Sequence, residues 1–130
     1  MFQLFMAEPE VLPTEWGVPT FEIDGLQMLP TAKESPLDDA RRKVALVQPH
    51  GKRVLDTCAG LGYFAACCRE AGAAAIASFE KNEDVLWLRT LNPWSPDPAA
   101  SGGRLSLAHA DVAQAITALP DAAFDVALHD

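Results

Sequence analysis

The chain is short of positive charge, of cysteine and of long apolar runs. Ten Lys and Arg stand against eighteen Asp and Glu in 130 residues, a formal net charge of −8 at neutral pH. A broad electrostatic grip on nucleic acid needs clustered Lys and Arg to displace counterions. The basic run Arg41-Arg42-Lys43 is too small to supply one and reads as a solvated helix face, so there is no strong nucleic-acid signal. No apolar run approaches the ~20 residues that cross a bilayer, and no membrane partner is expected. Met1 to Pro13 carries no positive stretch and reaches Glu8, Pro9 and Glu10 quickly, so no signal peptide is expected. The three cysteines, Cys58, Cys67 and Cys68, show neither C-x-x-C nor paired metal spacing, and no metal is expected. Adjacent Cys67 and Cys68 on a helix behave as small hydrophobes, which fits a reduced, cytoplasmic setting.

What is present is the composition of one ordinary globular domain, 49% apolar and 22% charged. Residues 1–34 are rich in proline and aromatic residues and read as an amino-terminal extension. Within them, T-F-E-I-D-G-L-Q-M-L sets Asp24-Gly25 between two apolar-bearing runs, the signal of a two-residue β-hairpin. A helix is expected next. Ser35 is its N-cap, Pro36 its first position and Asp38 its capping-box acid. Leu37, Ala40, Val44 and Val47 line one face, and Pro49 ends it.

From Arg53 the pattern alternates. R-V-L-D-T-C reads as a buried strand, and G-Y-F-A-A-C-C-R-E-A-G as a helix closed by Gly72. A-A-I-A-S-F-E and N-E-D-V-L-W-L-R-T-L give a second strand and helix, followed by a long loop, N-P-W-S-P-D-P-A-A-S-G-G. R-L-S-L-A-H-A, D-V-A-Q-A-I-T-A-L and F-D-V-A-L-H-D give a third strand, a third helix and a fourth strand. The expected class is α/β: a Rossmann-like, doubly wound, mostly parallel sheet with strand order 3-2-1-4. The last strand has no helix after it, so residues 35–130 read as the front part of a longer domain. Its open sheet edge offers a contact for an oligomer.

Between the first strand and helix, Gly60-Leu61-Gly62-Tyr63-Phe64-Ala65 fits G-x-G-x-x-(G/A). A glycine turn there lets the backbone approach a ligand at a helix amino terminus. The same pattern also occurs in turns that use glycine for steric reasons alone. Glu80 stands eighteen positions past Gly62, at the end of the next strand, where an acid accepts hydrogen bonds from a ribose diol. Asp56 then separates two nucleoside cofactors. An acid just upstream of the turn repels the pyrophosphate of NAD, whereas S-adenosylmethionine has no phosphate and carries two cationic groups.

The stretches L-D-T-C-A-G-L-G-Y-F-A, F-E-K-N-E-D-V-L-W-L-R-T-L-N-P-W-S and F-D-V-A-L-H-D resemble the front half of a class I S-adenosylmethionine-dependent methyltransferase. More narrowly, they resemble a group of predicted methyltransferases best known from archaea, whose substrate is unassigned. D-G-L-Q-M-L-P-T-A-K-E-S-P-L-D-D-A-R-R-K-V resembles the segment before the first strand there, so the resemblance covers about 20–130. It implies that Asp56, Gly60 and Gly62 lie near the methionine part of the cofactor and that Glu80 holds the ribose hydroxyls. It also implies that Asp111, with the backbone of Val112, meets the adenine, and that Asp130 faces the methyl group and its acceptor. In that group Pro-Pro follows the fourth-strand acid, and this chain has no such continuation.

Other residues read as structural. Asn92-Pro93-Trp94-Ser95 resembles the signature of amino-group methyltransferases but follows the second helix instead of the fourth strand. Asn92 and Pro93 are read as a helix stop, and Trp94 as packed against the fold. His109 and His129 lie near strand ends, where either could touch substrate, although histidines satisfied by backbone are commoner. Cys58 is read as a small buried side chain with no histidine placed by sequence to activate it. The reading is methyl transfer from S-adenosylmethionine to an unidentified acceptor. A polyamine-synthase-like aminopropyltransferase, an NAD-dependent oxidoreductase and an inactive remnant acting as a binding module stay open as alternatives.

Overall fold

Ser35 begins the first helix as its spacing predicts. Its hydroxyl oxygen accepts the Asp38 N–H at 3.0 Å, and Pro36 occupies the first helical position. The computed structural model describes residues 10–12, 20–23, 26–27 and 35–129. Helix α1 (Pro36–Val47) ends at Gln48, which takes a left-handed conformation ahead of Pro49. Ala40 and Val44 are buried on its inner face, and α1 packs on α2 (Tyr63–Glu70). Asp39 is also buried on α1, held by Arg42 at 2.7 Å and Lys43 at 3.1 Å. Arg42 and Lys43 of the basic run therefore neutralise an inward-facing carboxylate, while Arg41 pairs with Asp38 and Glu70 at the surface.

Upstream, β1 (Glu10–Leu12), β2 (Thr20–Ile23) and β3 (Leu26–Gln27) form an antiparallel sheet in sequence order. Ile23 pairs with Leu26, the register of a two-residue hairpin connection. Asp24 and Gly25 themselves lie outside the described residues. The first strand of this sheet was not foreseen, because Glu10–Leu12 is a short run flanked by prolines.

The main sheet contains β4 (Arg53–Asp56), β5 (Ala75–Glu80), β6 (Leu105–His109) and β7 (Val126–Leu128). All pairs are parallel, in the order β6-β5-β4-β7, which is the expected 3-2-1-4. Central β4 buries Val54, Leu55 and Asp56, as a strand covered on both faces must. At its amino end the Arg53 side chain grips Asp125 through two hydrogen bonds, 3.2 and 3.1 Å, fixing the β4–β7 register. Val54, Leu61, Ala65, Cys68, Ile76, Val85, Leu88 and Leu105 belong to one buried apolar cluster.

One element is smaller than its pattern suggests. The stretch read as a third helix is one α-helical turn, α4 (Val112–Ala115), followed by a 3-10 turn over Ile116–Ala118. None of its residues is fully buried, so core packing adds little to its Asp111 cap. The long loop after α3 (Glu83–Leu91) holds a 3-10 turn at Pro98–Ala100, capped by Asp97. No helix among the described residues is long and apolar enough to cross a membrane.

Candidate functional site

Because the four strands are parallel, their carboxyl ends share one edge, and chain segments far apart in sequence meet there. In register, Asp56 stands beside Ser78 on one side and Leu128 on the other, and Glu80 beside His109. The turn after β4 is stitched to both neighbours. Thr57 N–H donates to Leu128 C=O and Ala59 N–H to Phe79 C=O, each at 3.0 Å. Leu61, the residue between the two glycines, is 2% exposed and plugs the turn into the core. Burying a leucine side chain contributes about 2 kcal/mol, so the turn is anchored by packing as well as by hydrogen bonds.

Glu80 joins strand end to turn. Its carboxylate accepts Gly60 N–H at 2.8 Å and Asn82 N–H at 3.0 Å. Each oxygen keeps a further lone pair for another donor. Asn82 caps α3 through its side chain, which accepts Asp84 N–H, so Glu80 is held between the glycine turn and a helix start.

The two glycines serve different ends. Gly60 has a φ of +54°, and a Cβ placed there meets nothing within 4 Å. It leaves open space at the turn. Gly62 has a φ of +93°, and a Cβ there falls 2.7 Å from Arg89 Nη1 and 2.7 Å from Pro96 Cδ. Its missing side chain makes room for the protein's own interior. Of the pair, only Gly60 offers the close approach a ligand needs.

Asp56 lies beneath the turn and is 2% exposed. It accepts a hydrogen bond from Ser78 Oγ at 3.0 Å, and the Cys58 backbone N–H also supports it. Burial pushes its carboxyl up to about 6 against these hydrogen bonds and the nearby Arg89 charge. Its influence on the edge is therefore exerted through the turn's backbone and its charge. Asp111 caps α4, accepting Ala113 N–H at 2.9 Å, and half-buried Val112 follows it. Asp130 lies outside the described residues.

Two expectations about side chains are corrected. Trp94 is 45% exposed, not packed against the fold. Its neighbour Asn92 takes the interior place: it is 4% exposed and donates to Tyr63 Oη at 3.1 Å and Ser95 Oγ at 2.9 Å. Cys58 is exposed, not buried, and His129 Nδ1 lies 4.0 Å from its sulfur. His129 Nδ1 also contacts Thr57 Oγ1, while His109 Nε2 meets the Lys81 carbonyl at 3.0 Å. The sequence reading missed Arg89, which is 6% exposed and donates to the carbonyls of Gly60 and Pro96. A signal was there: Val85, Leu88, Arg89 and Asn92 follow one helical face, so an arginine sits on the apolar stripe.

No family model matches the chain. The uncharacterized protein MJ1233 of Methanocaldococcus jannaschii is 39% identical over 113 residues, which are 86% of this chain and 38% of that protein. The chain thus spans well under half the length of this curated relative. Among solved structures, a proposed O-methyltransferase from Klebsiella pneumoniae superposes with a TM-score of 0.56 at 18% identity, over 78% of this chain and 46% of its own. An S-adenosylmethionine-dependent methyltransferase from Mesorhizobium loti gives 0.50 at 23%, over 70% and 39%. The parallel sheet in the order 3-2-1-4, with its glycine turn and strand-end acid on one edge, has a class I methyltransferase-like fold.

Proposed function

We propose that residues 35–130 are the front part of an S-adenosylmethionine-dependent methyltransferase domain, preceded by an extension over 1–34, that acts on an unidentified methyl acceptor in the cytoplasm. One observation carries the reading: the Glu80 carboxylate accepts the Gly60 N–H at 2.8 Å, beside the open space over Gly60. Glycine turn and acid are therefore one site, and the acid retains lone pairs for a ribose diol.

The residues present fit a nucleoside cofactor of this kind. Gly60 leaves room, Glu80 would hold the ribose hydroxyls, and Asp111 with Val112 would border the adenine. Asp56 adds negative charge below the turn, which suits a cationic sulfonium better than a pyrophosphate. Gly62 would shape the seat from behind, and Asp130 would face the acceptor. The bound cofactor would supply an electrophilic methyl group; the chain's own work is to position it and exclude water.

Calorimetry of this chain with S-adenosylhomocysteine and with NAD tests the assignment. S-Adenosylhomocysteine should bind more tightly, and Glu80→Gln, which removes the charge but keeps one acceptor for the turn, should weaken it roughly tenfold. Tighter binding of NAD, or unchanged affinity in the Gln variant, overturns it.

A further inference from the structure

Arg89 is buried in the last turn of α3, and burying a guanidinium is costly unless its donors are used and its charge is offset. Among the described residues it forms no ion pair. Its donors go instead to two backbone carbonyls, Nη1 to Gly60 at 3.2 Å and Nη2 to Pro96 at 3.1 Å. Asp56 and Glu80 favour its charge from nearby, while burial works against it and holds its pKa below the usual arginine value. One planar fork thus ties the glycine turn to the loop after α3.

The consequence for the turn is specific. Gly60 is gripped at both ends of its backbone, its N–H by Glu80 and its C=O by Arg89. Across a trans peptide, the next N–H points opposite to the carbonyl. With the Gly60 carbonyl drawn toward Arg89, the Leu61 N–H points away from it, and among the described residues no backbone carbonyl accepts it. The loop is equally fixed. Pro96 presses into the space that Gly62 leaves, and the buried Asn92 side chain accepts Trp94 N–H at 3.1 Å to shape the bend.

We propose that Arg89 is the positioning residue of the cofactor seat. It fixes the Gly60 peptide so that the Leu61 N–H serves the ligand, and it makes the Asn92–Pro96 loop the back wall of that seat. The proposal rests on the nucleoside-cofactor reading above, but Arg89 itself touches no ligand in it.

The test compares Arg89→Lys and Arg89→Met with Val44→Ala, a core truncation on α1 away from the seat. In ligand-free protein, Arg89→Met should speed amide hydrogen exchange at Gly60 and Gly62, whose N–H groups donate to Glu80 and Ala59, more than at β5, whereas Val44→Ala should not single out the turn. With S-adenosylhomocysteine, both Arg89 variants should bind roughly tenfold more weakly at matched folded fraction, Lys the less affected, and Val44→Ala should bind as the parent does. Turn exchange in Arg89→Met that matches the parent, or parental affinity in that variant, overturns the proposal. A parent chain that binds no S-adenosylhomocysteine overturns the cofactor reading instead, and the exchange result still decides whether Arg89 holds the turn.

Discussion

Ser78 donates its hydroxyl hydrogen to the Asp56 carboxylate at 3.0 Å, and at 1% and 2% exposure neither residue reaches solvent. The two are register partners on neighbouring parallel strands, so the sheet itself brings the hydroxyl to the acid. The hydrogen bond does not cancel the cost of burial, because the carboxyl still sits at about 6 against 3.8 for an ordinary aspartate.

That shift has a definite sign. Between the two values the folded chain binds more protons than the unfolded one, so stability falls as pH rises. The contribution is fully present below 3.8 and is lost as pH rises through about 6. Asp56→Asn removes the titration while keeping the shape. Its melting temperature relative to the parent should be pH-independent below 3.8, climb between pH 4 and 6, and level off above 7. The climb should correspond to on the order of 3 kcal/mol. Thermal melts across this range check it, and an offset equal at pH 4 and pH 8 refutes it.

The glycines of the turn predict unequal losses. Gly60→Ala adds a methyl to open space, so the cost is that of a left-handed alanine, about 1 kcal/mol. Gly62→Ala bears a similar conformational cost and also overlaps Arg89 Nη1 and Pro96 Cδ. The Pro96 ring cannot swing aside, and moving the guanidinium breaks its hydrogen bonds to Gly60 and Pro96. A loss of roughly 3 kcal/mol is expected. Urea denaturation midpoints of the two variants should differ clearly, and equal midpoints contradict this account.

Local patterns carried the backbone of the fold well. Ser35-Pro36 announced α1, the alternation from Arg53 gave the strand order, and D-x-x-x-G-x-G with the later Glu80 gave the edge where the site forms. What stayed hidden depends on register between distant segments. His129 lies 71 positions after Cys58, and only the parallel pairing of β4 with β7 brings their side chains together. Arg89 was hidden because arginine is nearly always an exposed residue, so its place on the stripe of Val85 and Leu88 was overlooked. Gly62 was legible as a necessary glycine, but its reason was not. The neighbour that demands it comes from another helix.

The cysteines separate sharply by environment. Cys67 and Cys68 are 3% and 0% exposed on α2, and burial pushes their thiols up to about 11 and about 12. Cys67 also directs its S–H toward the Leu37 carbonyl at 3.8 Å. Cys58 is exposed in the turn. Since the thiolate is the nucleophile and must be reached by the reagent, iodoacetamide at pH 8 should add one carbamidomethyl group to the native chain, on Cys58. In denaturant, all three cysteines should react. Intact-mass spectrometry over time, with Cys58→Ser as the control, reads this directly. The Ser variant should stay unmodified while folded, because its remaining thiols react only as fast as α2 opens. A second native adduct arriving as fast as the first would mean that the α1–α2 packing does not protect this face of the core.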